Sequence, residues 1–447
     1  MTKEKVQLIA GALLHDIGKV IYRQGDGRKH SVSGYEFLKQ EAKVTEKNIL
    51  ESVRYHHVAE LRNASLSENS YAYITYVADN IASAADRRKR EEEEEKGYIK
   101  TIPLESVFNV LNGNDGRLHY QRGFLGKNAT IHYPTNEEVQ YDENYYLTIK
   151  ANILDNLHGI RCWDAEHINS LLEILEANIS LIPSSTARDE LADISLYDHV
   201  KLTAAIATCI YDFLGEKGIT DYKKELFTNE KEFWNTEAFA MFSMDLSGIQ
   251  DFIYTIHSEG ALRNLRARSF YLEIMMEHII DTLLDRLELS RANLVYAGGG
   301  HCYILAANTT NTRGIISDFK KELNQWMTEK YDVSLYVASG YASCCANNLK
   351  NIPDGSYSDI FKRVSNDISG NKANRYTAEQ IVLLNRRSAE DYTRECKVCK
   401  KLSHLTKDGM CENCASILRS SGDILYKDFF SIISEPEASA LSLRFGY

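Results

Sequence analysis

Val6, Ile9, Ala10, Leu13, Leu14 and Ile17 recur at helical spacing, which predicts a helix over 5–17 that Gly18 would end. His15-Asp16 then falls in its last turn. The same pattern predicts a helix from 46 up to His56-His57 and another over 71–85, which carries Asp79. Short alternating runs between 101 and 150, among them 118–120 and 145–149, predict strands, and 166–214 reads as helix again. The most informative stretch is 239–308. Residues 239–246 alternate as a strand and bring a carboxylate, Asp245, to the point where a helical pattern opens at Ser247-Gly248. An amphipathic helix over 268–287 follows, then two apolar runs, 292–297 and 302–307, joined by Gly298-Gly299-Gly300-His301. Those glycines supply the positive φ of a tight hairpin. A helix over 314–331 and a strand over 334–340 complete the order βαββαβ, the ferredoxin-like order of polymerase and nucleotide-cyclase palms.

Length and composition narrow the class. The 447 residues are enough for about three domains at roughly 150 residues each. A 44% hydrophobic and 26% charged composition is that of a soluble globular protein, and 5 prolines argue against long disordered linkers. No run of about 18 apolar residues occurs and the first residues lack a signal-peptide core, so a cytoplasmic protein without a membrane span is expected. A net charge of -11 is the wrong sign for gripping nucleic acid over the whole surface, which leaves the local basic runs 87–90 and 263–268 as candidate patches. The first of these reads equally well as a solvated helix face leading into acidic 91–95.

Chemistry concentrates at three places. His15 and Asp16 are adjacent mixed nitrogen and oxygen donors, and Asp79 with His56 or His57 can complete a one- or two-metal site with them. Such a site sets a bound water against a phosphodiester phosphorus. His30 reads either as a further ligand or as a surface helix cap, and Lys19 either steadies a phosphate or faces solvent. Asp198-His199 repeats the two residue types in reverse order without the flanking pattern and is taken as structural, as are Trp163 and Cys209. Of nine cysteines, Cys396, Cys399, Cys411 and Cys414 form two C-x-x-C pairs eleven residues apart. That spacing predicts a closed zinc site of four thiolates, which staples structure and leaves no open position for catalysis. The remaining five cysteines are expected to be packed or free. The third place is the palm, where Asp245 lacks an acidic partner because the hairpin carries glycines and His301. Two-metal nucleotide joining needs two acidic positions, and Mg²⁺ prefers oxygen ligands to imidazole.

Leu13-Leu-His-Asp-Ile-Gly-Lys19 resembles the HD phosphohydrolase superfamily. Asp245-Leu-Ser-Gly-Ile-Gln-Asp-Phe-Ile-Tyr254, the run 260–270 and the 298–301 hairpin, placed behind that motif and ahead of the cysteines, resemble the large polymerase-like subunit of type III-A (Csm-type) CRISPR complexes. The fold class expected is α+β, an all-helical HD domain followed by a ferredoxin-like palm with a four-cysteine zinc-binding insertion. The domains expected are an HD nuclease domain at 1–98, a bridging region at 99–235, a first palm at 236–385, and at 386–447 the zinc region with the start of a linker. The resemblance implies an antiviral, RNA-guided complex in which the HD domain cleaves single-stranded DNA with manganese, nickel or cobalt. Catalytic roles fall to His15, Asp16, His56, His57 and Asp79. It also implies an ATP half-site with Mg²⁺ at Asp245, Ser247, Gly248, Gly298, Gly299 and Gly300, although Ser247 reads equally as a helix N-cap. The implied partners are the other subunits, guide and target RNA. In the family an acidic hairpin belongs to a second palm, with which cyclic oligoadenylate is made. That palm is absent from these 447 residues, which are read as a truncated form that binds nucleotide weakly and makes no oligoadenylate alone. The competing readings are a scaffold with an inactive HD site and a cyclic-nucleotide phosphodiesterase.

Overall fold

The computed structural model describes residues 1–86, 97–111, 117–126, 133–255, 260–386, 394–433, 435, 441 and 443–446. The basic run 87–90 lies outside them. Helix α1 (Lys3–Leu14) is capped by Thr2, whose hydroxyl accepts from Lys5 N, and is buried from Lys5 to Leu14. A helix apolar nearly all round belongs inside a bundle. Even Lys5 is sealed in, with its ammonium 2.8 Å from Asp212. Around α1 lie α2 (Gly18–Arg23), α3 (His30–Glu36), α4 (Lys47–Tyr55), α5 (Ala72–Asp86), α6 (Glu143–Leu157), α7 (Ala165–Ile179) and α8 (Leu196–Glu216). Helix α8 packs against both α1 and α5.

Two expectations fail here for identifiable reasons. Gly18 does not end α1 but opens α2, and His15, Asp16 and Ile17 form the turn between them. A β-carbon at Gly18 would stand 1.8 Å from the His30 carbonyl oxygen, so this glycine serves a close helix crossing. The run 145–149 is helical within α6, because Asp142 caps that helix by accepting from Tyr145 N at 3.0 Å and Tyr145, Tyr146 and Ile149 face the core. In the run 118–120, His119 makes isolated bridges to Glu105 and Thr135.

The second half is a four-stranded antiparallel sheet in the order β2-β3-β1-β4, from β1 (Phe239–Ser247), β2 (Leu294–Gly298), β3 (His301–Ala307) and β4 (Tyr336–Cys344). The connecting helices are α9 (Ile249–Tyr254), α10 (Ala261–Arg286) and α11 (Thr310–Tyr331). Alternation along β1 splits its side chains between two cores. Phe242, Met244 and Leu246 join the core under α10 and α11, whereas Phe239 and Met241 join the core of the helical half. There α8 and α12 (Ser356–Ala373) cover the other face of the sheet. The hairpin turn is Gly299-Gly300, with φ of 61° and 80°, the two positive values a two-residue primed turn requires.

Beyond the palm, the cysteine segment folds onto the first turn of α13 (Glu412–Tyr426). Of the basic run 263–268, Arg263 is exposed, but the other two arginines are engaged within the protein. Arg268 is buried, donating to the Phe252 carbonyl and to Cys414 Sγ, and Arg266 donates to Ser421 Oγ at 3.1 Å. No described helix is long and apolar enough to cross a membrane.

Candidate functional site

Five imidazoles and two carboxylates meet where α1 gives way to α2. His15 and His56 each follow the end of a helix, and each Nδ1–H donates one turn back, to the Ala12 carbonyl at 2.7 Å and the Val53 carbonyl at 2.8 Å. That bond sets the tautomer and leaves Nε2 with its lone pair facing the cluster. His15 Nε2 is buried, with the Asp16 and Asp79 carboxylates facing it. The Asp16 carboxylate sits at the centre. Its Oδ1 lies 3.3 Å from His30 Nε2 and 3.7 Å from His56 Nε2, and its Oδ2 lies 3.4 Å from His15 Nε2 and 3.3 Å from His199 Nε2. Asp79 Oδ1 closes the second side, 3.7 Å from His15 and 3.3 Å from His199. On the first side His57 Nε2 is 2.7 Å from His30 Nε2.

The donors therefore form two groups, His30 with His56 and His57, and His15 with Asp79 and His199, and Asp16 offers one oxygen to each. A bridging carboxylate between two nitrogen-rich groups fits a pair of divalent transition ions. In the first group the protonation states agree. Burial drives His30 down to about 3 and lowers His56 and His57, so these imidazoles are neutral donors. Burial would raise Asp16, but Lys19 at 2.6 Å and His15 outweigh it and hold the carboxyl well below its usual range. Asp79 is likewise pushed up by burial and pulled well below by its bonds to His15 and His199. Burial opposes charge on His15, yet Asp16 and Asp79 raise it to about 9.

All five predicted residues, His15, Asp16, His56, His57 and Asp79, come together. His30 is in the cluster, not at a cap, since the α3 cap position is Lys29. Lys19 faces Asp16, not solvent. The sequence reading missed His199, set aside as structural. On α8 the two members of Asp198-His199 point apart. Asp198 is exposed and tied to the helix cap, its N–H donating to Ser195 Oγ, whereas His199 is buried against Asp16 and Asp79. Its position within the apolar face of α8 was the available signal. A cavity of about 430 Å³ opens onto the cluster.

The residues expected to form a nucleotide half-site also meet, at one end of the sheet. Asp245 pairs with His301, Leu246 N donates to the Gly300 carbonyl at 2.8 Å, and Ile249 touches Gly300. Gly299 borders open space, and a β-carbon at Gly248 would strike the Ser334 carbonyl. Ser247 is no N-cap: Gly248 takes that position at φ 94°, and Ser247 Oγ is buried without a partner. Asp245 is engaged by His301 Nδ1 at 3.3 Å and, unforeseen, by Lys372 of α12 at 2.7 Å. Their hydrogen bonds hold its carboxyl below the usual range.

The four cysteine sulfurs lie within 4.8 Å of one another. Cys399 and Cys411 are 3.8 Å apart, matching the roughly 3.8 Å edge of a tetrahedron with Zn–S bonds of about 2.3 Å. Cys411 N–H and the Arg268 guanidinium donate to Cys396 and Cys414 sulfurs, a second shell suited to thiolates. The donor set fits zinc. Cys209, Cys302, Cys344 and Cys345 are buried and Cys162 is exposed, all free of disulfides.

Comparison with known proteins agrees with these features. A family profile described as HD domain matches residues 2–87, and one described as Csm1 subunit domain B matches 238–387. The chain is 41% identical over 446 residues to the CRISPR system single-strand-specific deoxyribonuclease Cas10/Csm1 (subtype III-A) of Enterococcus italicus, covering 97% of this chain and 59% of that protein. The Streptococcus thermophilus protein of the same name is 39% identical, with 98% and 58% covered. The chain thus spans about three-fifths of the length of the curated relatives it matches. A crystal structure of a Csm1-Csm4 cassette in complex with cA4 superposes with a TM-score of 0.65 at 25% identity, over 84% of this chain and 49% of that one. Over the residues it spans, the chain belongs to the Cas10/Csm1 family of subtype III-A and carries that family's HD domain and domain B.

Proposed function

We propose that this chain is the nuclease and first-palm portion of the large subunit of a type III-A RNA-guided complex, with a dinuclear HD site that hydrolyses single-stranded DNA. The observation that carries the reading is Asp16, whose two oxygens face two separate imidazole groups. His30, His56 and His57 would hold one ion, and His15, Asp79 and His199 the other, each sharing Asp16. Nickel or cobalt would suit the imidazole donors and manganese the two carboxylates. When bound, such ions supply an activated water and neutralise phosphate charge. The protein's part is orientation: the Ala12 and Val53 carbonyls aim His15 and His56, and Lys19 keeps Asp16 ionised. The single-strand-specific deoxyribonuclease activity for which the relatives are named supports the substrate class.

The palm would bind ATP at the 298–300 hairpin and Ser247-Gly248, as half of a site completed by a second palm, and the cA4-bound relative supports this. A Csm4-type subunit, guide RNA and target RNA would be its partners in the complex. The test of the nuclease reading is cleavage of a single-stranded oligodeoxynucleotide with added Mn²⁺ or Ni²⁺, against the same chain in chelator. Absence of metal-dependent cleavage, with metal bound, would favour a scaffold role.

A further inference from the structure

The cavity over the metal cluster has a second wall that the HD ligands do not form. Arg23, the last residue of α2, lines it, together with Ser184, Ser185 and Thr186 from the segment between α7 and α8. Arg23 is 4% exposed. A guanidinium so deeply buried is ordinarily paired with a carboxylate, because an unpaired ion in a low-dielectric setting is costly. Among the described residues this one has no acidic partner within ion-pairing distance. Its Nη2 donates to the Ser184 carbonyl at 3.4 Å, its face lies 5.7 Å from the Tyr146 ring centre, and its Nη1 has no hydrogen-bond partner. Of the further acids lining the cavity, Glu60 is taken by Lys29 at 2.6 Å and Glu190 is engaged elsewhere than at Arg23.

Position along α2 adds a second argument. Arg23 follows Lys19 by four residues and so shares its helix face, one turn further from Asp16. Lys19 sits on Asp16 itself, so the face presents a cation at the cluster and another one step away. The step of about 5.4 Å per turn is comparable to the advance from one backbone phosphate to the next along a single strand.

We propose that Arg23, with the 184–186 segment, forms an anion subsite for the DNA phosphate neighbouring the scissile one, holding the strand in register over the cluster. The subsite rests on the nuclease reading for its ligand, single-stranded DNA. Arg23 is a positioning residue and touches no reacting atom.

Binding measured in chelator separates this subsite from cleavage. Fluorescence anisotropy of a labelled single-stranded oligodeoxynucleotide is followed over a salt series with the full chain. Arg23→Gln is expected to weaken binding about ten-fold and to flatten the slope of log affinity against log salt by roughly 0.7, the contribution of one phosphate contact. Arg23→Lys keeps the slope. Unchanged affinity and slope in Arg23→Gln overturn the proposal. A ligand-side arm needs no variant: a neutral methylphosphonate is walked along the oligonucleotide with the wild-type chain. One sensitive position adjacent to the scissile phosphate is expected, and its sensitivity disappears in Arg23→Gln. If only the scissile position matters, the subsite does not exist. Binding that meets these expectations without any metal-dependent cleavage would uphold the subsite while sinking the nuclease reading.

Discussion

Asp16 and Asp245 are the same chemical group in similar company, and they end up with different capacities. Each has a lysine ammonium within 2.7 Å and an imidazole at about 3.3 Å. Asp16 is 2% exposed, and four imidazoles besides the nearest one, and a second carboxylate, crowd around it. The side chain of Asp245 is 27% exposed, with one imidazole and, among the described residues, no second carboxylate within ion-pairing range of Lys372 or His301. Where donors outnumber cations, a dication improves the charge balance of a buried cluster. Where one carboxylate already has its own ammonium, a metal must compete with that ammonium and finds few other ligands. The number of converging donors, not the presence of an aspartate, separates a metal centre from a neutralised carboxylate.

The largest effect should come from emptying the rich side of this contrast. Replacing His15 and Asp16 together by Ala is expected to lower Mn²⁺-dependent cleavage of single-stranded DNA by on the order of 10³-fold or more with the chain still folded. Undiminished cleavage would refute the cluster as the catalytic centre. The cysteine cluster offers a structural counterpart. Elemental analysis should find about one zinc per chain, lost in Cys396→Ala along with local stability, while nuclease activity survives better than stability does. A wild-type chain purified without chelator and free of zinc would contradict this.

His199→Ala probes the ligand that only folding reveals. It should weaken metal binding by at least the 10–100-fold that even a supporting contact is worth, as measured by calorimetric titration with Mn²⁺. Wild-type affinity would make His199 a packing residue. On the poor side, Lys372→Gln should strengthen Mg²⁺ binding at Asp245 only a few-fold, the scale of a part-exposed ion pair at about 1 kcal/mol. Neither that variant nor the parent chain should turn ATP and Mg²⁺ into cyclic oligoadenylate. Adenylate oligomers on chromatography would mean that Asp245 has an acidic partner.

A last test is a pH dependence of the metal-free chain. His15 is raised to about 9 when folded, against about 6.5 unfolded. A raised value favours the folded state fully below pH 6.5, and that contribution is lost as pH rises through 9. Denaturant midpoints of the chelated chain should fall across this window, whereas metal loading should displace the proton and flatten the trend. A flat profile in chelator would remove His15 from the account.

Much of this was legible in the linear pattern because it depends on local spacing. The βαββαβ order, the hairpin at Gly299-Gly300 and the cysteine quartet follow from alternation, from glycine's tolerance of positive φ and from two C-x-x-C pairs, all properties of short segments. The helix end bearing His56 was equally visible, since apolar periodicity shows where that helix stops, whereas the first helix stops at Leu14, short of the expected Gly18. Contacts across the chain were decided only by the fold. His199 stands 183 residues after Asp16 and reaches it because α8 packs against α1 and α5, which no local pattern encodes. Lys372 reaches Asp245 because α12 lies on β4 and β1, and Arg268 meets Cys414 because α13 packs on α10. Gly18 looked like a helix stop and proved to be a crossing point, because what demands the missing β-carbon is the carbonyl of His30 on another helix. Sequence determined which segments were helices, strands and knuckles, through periodicity and backbone sterics. The tertiary structure alone decided which donors converge, because convergence depends on burial and packing between segments far apart in the chain.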